Sequence, residues 1–343
     1  MNNENVFEIS TRLKQRFCKD LSVPIQVFSE PAFTRRLKLF GYEKDYEIFR
    51  NMLKHFNNEE EYFAFYNKVK EDIIAYIKSS ETYNVMNADM EIEKQNRILV
   101  GAISIPETNE IIPLAQQVSK RNVYNENNIG KTFVSIDLYK ANFSSMVHYS
   151  IKHNLKEKFN DGSYDWNHFL AKFVDKNHPA FEYLSKSKYI RQVVFGNCNV
   201  SRQIAYERNI INNLRRQIAA KSKLDEKHIR VVCDDELVYE VNSEDEINAL
   251  ADAIHAIKLD CPIHFNVYKL ERIRGTKEGY ALSNYYNPED KEFKCVNSVE
   301  MVYVYTKYKC LENTVDDRYI FTEYGPAQLL EDIEITFEKD KAN

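Results

Sequence analysis

The chain is poor in the residues that punctuate tight turns. Its 343 residues include 8 Gly and 8 Pro, too few for a turn-rich β-sandwich or for low-complexity tails. No apolar run approaches the roughly 18 residues of a membrane-spanning helix. The opening MNNENVFEIS lacks the basic-then-apolar order of a signal peptide. No membrane partner is expected. The six cysteines, Cys18, Cys198, Cys233, Cys261, Cys295 and Cys310, are scattered without a CxxC pair. That pattern suits reduced thiols and a cytoplasmic location or an intracellular replication site, not a disulfide framework. GxxxxGK[ST], GxGxxG and HExxH are all missing, which argues against P-loop hydrolysis, dinucleotide binding and zincin chemistry. The eight His have no metal-ligand spacing, and His148 and His153 are expected on helical surfaces. There is no basic excess either: 47 basic against 52 acidic residues give a net charge of -5. That total neither indicates nor excludes a nucleic-acid partner, because a local patch does the binding.

What the chain has is apolar and aromatic material, 43% and 13% of residues, with 23 Tyr and 20 Phe. Residues 1–95 read as a helical region, thumb-like or partner-docking. In NNEEEYFAFYNKVKEDIIAYIKSS, Phe63, Tyr66, Ile73 and Ile77 follow helical spacing behind Asn57 and Asn58 as caps, and a second helix is expected near Tyr46–Phe56. RILVGAISI, within an extended segment 97–120, reads as a strand. KTFVSIDLYKANF gives a strand ending in Asp137. SRQIAYERNIINNLRRQIAA is a long amphipathic helix with Ile204, Ile211, Leu214 and Ile218 on one stripe and Arg202, Arg208, Arg215 and Arg216 off it. SEDEINALADAIHAI opens on a Ser243–Glu246 capping box. Residues 261–343 read as a β-rich C-terminal extension containing IHFNVYKL and VEMVYVYTKY as strands. The whole is α+β, with residues 96–260 as its catalytic core.

The acids carry the chemistry. IRVVCDDELVYEV sets Asp234, Asp235 and Glu236 between two apolar strands, where like charges repel and burial is costly. Two strand-borne carboxylates can hold divalent cations about 3.5–4 Å apart for in-line phosphoryl transfer. Mg²⁺ accepts a few carboxylates and completes its shell with phosphates and water. A solvated acidic turn is the plain structural alternative, and TVDDRYI around Asp316 and Asp317 reads that way. Between the acids lies SKSKYIRQVVFGNCN. Its Lys186, Lys188 and Arg191 sit on one helix before Phe195, able to offer cations to a triphosphate and a ring to a base. The alternative there is a solvated basic helix end. A buried thiol beside carboxylates is not activated as a nucleophile, so Cys198 and Cys233 read as structural.

The order of these motifs resembles family A DNA polymerases. VVCDDELVYEV is similar to motif C, usually His-Asp-Glu and an apolar strand, with Asp234 in place of the His. VSIDLYKANF is similar to motif A. In SKSKYIRQVVFGN, Phe195-Gly196 matches the fingers motif, Arg191 stands for its Lys, and Ser187, flanked by Lys186 and Lys188, falls where an earlier basic residue is expected. The arginine-containing helix 201–220 resembles the one preceding motif C. The resemblance spans residues 132–243, about a third of the chain.

It implies a polymerase-like palm, an antiparallel sheet with packed helices, and a nucleotidyltransferase that extends a primer on a template from nucleoside triphosphates. Asp137 and Asp235 would be the catalytic ligands of two Mg²⁺ (or Mn²⁺), with Asp234 and Glu236 completing the acidic metal set. Arg191 and Lys188 would neutralise the triphosphate, Phe195 would stack on the base, and Asn142 and Phe143 would sense the ribose. Side-chain alternation turns Asp234 away from Asp235, toward a turn cap or a basic partner, with Glu236 on its side unless the turn redirects it. The sequence also departs from the family. Only 44 residues separate Arg191 from Asp235, so most of the fingers are missing, and Asn199-Val200 replaces the Tyr-Gly that closes that motif. A degenerate palm acting as a binding or assembly module beside other replication proteins is the competing expectation.

Overall fold

The computed structural model of the chain describes residues 9–90, 102–104, 111–113, 118–222, 224, 226–257 and 259–340. Five helices come first: α1 (Thr11–Leu21), α2 (Glu30–Phe40), α3 (Glu43–Leu53), α4 (Glu59–Ser79) and α5 (Glu81–Ala88). The start of α4 follows from its sequence. The Asn58 side chain accepts from the Glu61 amide at 2.9 Å, and Glu59, Glu60 and Glu61 face the positive end of the helix dipole. Its buried stripe is Tyr62, Tyr66, Val69, Ile73 and Ile77.

Next come two short paired strands, β1 (Ala102–Ser104) and β2 (Ile111–Pro113). The rest of the strand expected over 97–105 lies outside the described residues, as does the boundary expected at 95/96. The chain continues through β3 (Thr132–Leu138), α6 (Ala141–Lys152), α7 (Trp166–Leu170), α8 (Ala180–Lys186), α9 (Lys188–Gly196) and α10 (Val200–Ser222). Then follow β4 (Ile229–Val232), β5 (Glu236–Val241), α11 (Glu244–Ile257), β6 (Ile263–Arg274), β7 (Tyr280–Asn284) and β8 (Lys291–Lys294). Last are α12 (Ser298–Tyr308), the hairpin β9 (Tyr319–Thr322) and β10 (Gly325–Gln328), and β11 (Thr336–Glu338). Among the described residues no helix is long and apolar enough to cross a membrane.

The fold is a mixed α/β arrangement built on one antiparallel sheet. Its strand order is β4-β5-β3-β6-β7-β8, with β11 paired to the far end of β6. Alternation gives the sheet two different faces. Val134, Ile136, Leu138, Leu237, Tyr239 and Val241 enter the main core, which the helices share. Phe133, Val231, Val238, Tyr268, Leu270 and Tyr280 form a smaller apolar cluster on the other face, under Val123 and Tyr124. Helix α10 packs on α6 and α11.

Two expectations need correction. VEMVYVYTKY is helix α12, not a strand. The Asn297 side chain caps it by accepting from the amides of Val299 and Glu300, and burial of Val302, Tyr303 and Val304 outweighs the strand preference of a β-branched and aromatic run. Nor is 261–343 an appended extension. β6 pairs along the whole length of β3, so a boundary at 260/261 would cut the sheet.

In the acidic stretch Asp316–Asp317, expected to be a solvated turn, Asp317 is buried. The fully buried Asp317 side chain pairs with Arg35 of α2 at 3.1 Å and accepts from the Thr314 amide at 2.8 Å. Breaking such a pair strands a buried charge. Asp317→Ala should cost about 3 kcal/mol in chemical denaturation, far more than an exposed acid would.

Candidate active site

β3 places the first acid. Its register sets Asp137 directly opposite Glu236 on β5 and His264 on β6. Asp235 lies in the bend between β4 and β5, and its carbonyl accepts from the Leu138 amide at 2.9 Å. Asp137 at the end of β3 thus lies beside the bend that carries Asp235. Past the strand, Lys140 adopts the left-handed conformation (φ 48°, ψ 52°) and its carbonyl receives the amides of Phe143 and Ser144. That kink starts α6 at the edge of the acid site.

Helix α9 forms the opposite wall. Its cap is the buried Ser187, whose Oγ accepts from the Ile190 amide at 3.1 Å and donates to Asp20 at 3.2 Å. Asp20, fully buried on α1, also receives Tyr66 Oη (2.8 Å), Tyr183 Oη (2.9 Å) and Arg16 (3.0 Å). One carboxylate therefore ties α1, α4 and α8 to the start of α9. Between the walls is a cleft of about 440 Å³, lined by Asp137, Lys140, Asn142, Phe143, Lys188, Arg191, Phe195, Asp235 and His264 among others.

Most residues expected at the site meet in this cleft. Lys188 is exposed and Asn142 half-buried in the first turn of α6. Arg191 donates to the Ser187 carbonyl at 3.3 Å and lies 5.8 Å over the Trp166 ring. Among the described residues no carboxylate pairs with it. Burial lowers its pKa, opposed by Tyr139, yet a guanidinium stays charged. Two residues do not match the roles expected of them. Phe195 and Phe143 are 0% and 1% exposed, with ring centroids 6.2 Å apart. They form the floor of the cleft and belong to the core, so neither presents a free face for stacking or for sensing a sugar.

Electrostatics separates the acids. Burial, then the charges of Asp235 and Glu236, push the Asp137 carboxyl up to about 7, with Lys120 and Lys294 opposing. Asp235 is also raised, chiefly by burial, with Lys120 opposing and Glu236 adding to the rise. Asp234 forms an ion pair with Arg208 of α10. Glu236 binds Lys120 at 2.6 Å and accepts from Ser135 Oγ at 2.5 Å. Glu236 is thus turned to the Asp137 face while Asp234 meets a helix on the other side. With both engaged, the metal set is narrower than the sequence pattern suggested. Among the described residues no cluster of three or more His, Cys, Asp or Glu forms a preformed metal cage. Asp137 and Asp235 are the residues that could hold Mg²⁺ or Mn²⁺, because these ions need few carboxylates beside phosphates and water and a dication would offset the burial and repulsion that raise both groups. Cys233 is raised by burial and Cys198 is pushed up by burial to about 11, so neither is an activated thiol.

Several neighbours were not anticipated from the sequence. Glu207 on α10 is 3% exposed and is pushed up to about 8 by burial and by the charges of Asp235 and Asp234, with Ser145 Oγ 3.5 Å away. Its helical spacing with Ile211, Leu214 and Ile218 was the available signal. His264 and Lys120 have no local signal, since only strand register and the fold of the loop bring them to the acids.

Comparison of this chain with protein-family models, with curated proteins and with solved structures finds no match.

The raised carboxyl gives a pH test. Between its ordinary value of 3.8 and about 7, folded Asp137 keeps a proton that the unfolded chain releases, so stability falls as pH rises through that window. Asp137→Asn removes this penalty. Urea unfolding should find the variant equal to wild type near pH 4 and more stable above pH 7, with the difference growing in between. A difference that does not change with pH would refute the raised carboxyl.

Proposed function

We propose that this protein is a metal-dependent nucleotidyltransferase with a polymerase-like palm, extending a nucleic acid strand from nucleoside triphosphates. One observation carries the reading. Asp137 and Asp235, which have no ion-pair partner among the described residues, share a single cleft with Lys140, Lys188 and Arg191. A negative centre facing a cationic wall suits a substrate whose triphosphate must be neutralised at one end and aligned with a metal at the other.

Asp137 and Asp235 would hold Mg²⁺ or Mn²⁺, which on binding supplies Lewis-acid activation of the strand's 3′-hydroxyl and of the phosphoryl group. Arg191 and Lys188 draw the β- and γ-phosphates to the α9 wall. The start of α6, at Ala141 and Asn142, adds the positive end of a helix dipole beside Lys140. Asn142 stands where the sugar would enter, and its short side chain is a weak steric block. The strand's 3′ oxygen bonds to the α-phosphorus as the bond to pyrophosphate breaks, and the hydroxyl proton leaves to solvent. The cleft floor of Phe143 and Phe195 excludes water beneath the reacting groups.

A binding or assembly module is the alternative, favoured by the engagement of Asp234 and Glu236 in ion pairs. Primer extension with Mg²⁺ or Mn²⁺ separates the two. Asp235→Asn and Asp137→Asn should each lower incorporation by about a hundredfold or more. Asp234→Asn should stay within about tenfold of wild type, since its partner is Arg208 and one charge-assisted contact is worth about 1.4 kcal/mol. Arg191→Ala should raise the KM for nucleotide about tenfold for the loss of one such contact. No incorporation by wild type under either metal, or equal loss at Asp234 and Asp235, would reject the polymerase reading.

A further inference from the structure

We propose that Lys120 is a built-in cation of the acidic centre: its ammonium takes the place of a second resident metal, so the free protein binds one divalent ion. This rests on the nucleotidyltransferase reading. Lys120 opens a short helical turn, Lys120–Asn122. Two residues earlier, Val118 pairs with Val232 of β4 through both backbone hydrogen bonds, at 3.1 and 3.2 Å. The backbone is thereby pinned beside the strand that leads into the acids. The Lys120 Nζ lies 2.6 Å from Glu236 Oε2, while Ser135 Oγ takes the other oxygen. Glu236 stands directly opposite Asp137 in the β3–β5 register and next to Asp235 in the chain, so the ammonium lies over the acid face.

Charge then decides the stoichiometry. Asp137, Asp235 and Glu236 carry three negative charges when ionised, and Lys120 returns one. A single dication completes neutrality. A second would leave an excess positive charge until a triphosphate arrives to balance it, so a second ion should enter only with the nucleotide. Geometry points the same way, because Lys120 and Ser135 each take one oxygen of Glu236 and compete with a metal for it. The lysine side chain is 50% exposed, so its removal leaves no buried cavity.

The test is Mn²⁺ uptake without nucleotide, followed by calorimetry and by the loss of the free-ion paramagnetic resonance signal. Wild type should bind one Mn²⁺ per chain. Lys120→Met should bind two, or bind the first about tenfold more tightly, since Glu236 is freed. Lys120→Met combined with Glu236→Gln should return to one ion at wild-type affinity. Thermal unfolding of each variant with and without Mn²⁺ gives an independent readout of the same sites. One ion at equal affinity in wild type and Lys120→Met, abolished by Asp137→Asn, would overturn the Lys120 proposal alone, as would two ions in wild type. Absence of uptake in wild type and Lys120→Met alike would overturn both the metal-dependent reading and this inference.

Discussion

A one-residue slip of β3 would turn Asp137 into the helical core and bring Ile136 to the acid face. The candidate site rests on that register. Burial on both faces of the sheet fixes it, since Phe133 on one side and Val134 and Ile136 on the other are all fully buried. A slip would expose one set and force Ser135 and Asp137 into apolar packing. The neighbouring strands then follow: the Leu138 amide donates to the Asp235 carbonyl, and His264 is delivered from the other flank. The acid pair is a consequence of apolar alternation on the strand.

The opposite wall depends on a different device. Lys188 and Arg191 are useful only if α9 starts at a fixed point, and its start is Ser187 hydrogen-bonded to Asp20. A buried carboxylate must find donors, and Asp20 takes them from α1, α4, α8 and the α9 cap. α9 also packs against α1 and α4. The N-terminal helices are therefore part of the scaffold that holds the cationic wall, whatever else they engage.

Much of this was legible in the sequence where a local pattern suffices. The strand ending in Asp137, the bend carrying Asp234 and Asp235, and the long helix α10 all follow from periodicity and caps. Alternation turned Asp234 away from Asp235, toward a turn cap or a basic partner, and of the two it is the pairing with Arg208 that forms. The failures share one cause, dependence on partners distant in the chain. The α12 segment is rich in strand formers, and only its tertiary burial and the Asn297 cap make it helical. β6 read as part of an extension because nothing local announces that it pairs with β3, more than a hundred residues earlier. Phe195 matched a motif position, but its ring direction is set by packing against Phe143, which no spacing reveals. Lys120 reaches Glu236 only after the 118–122 segment has bridged to β4.

The acids themselves show where the fold leaves charge unbalanced. Four carboxylates crowd the end of β3 and the β4–β5 bend. Two are relieved internally, Asp234 by Arg208 and Glu236 by Lys120. The other two, Asp137 and Asp235, have no ion-pair partner among the described residues, and both are raised by burial and by their neighbours' charges. A chain selected for stability alone could remove that repulsion with one asparagine. Unrelieved charge held at a cleft, opposite cations that among the described residues also lack carboxylate partners, is the arrangement expected where a ligand supplies both the missing positive and the missing negative charge. On the proposed function a metal-bound triphosphate would do this in one molecule, its metal meeting the acids and its phosphates the lysines and the arginine. The instability at Asp137 and the open charge of Arg191 are, on this reading, two halves of one binding site.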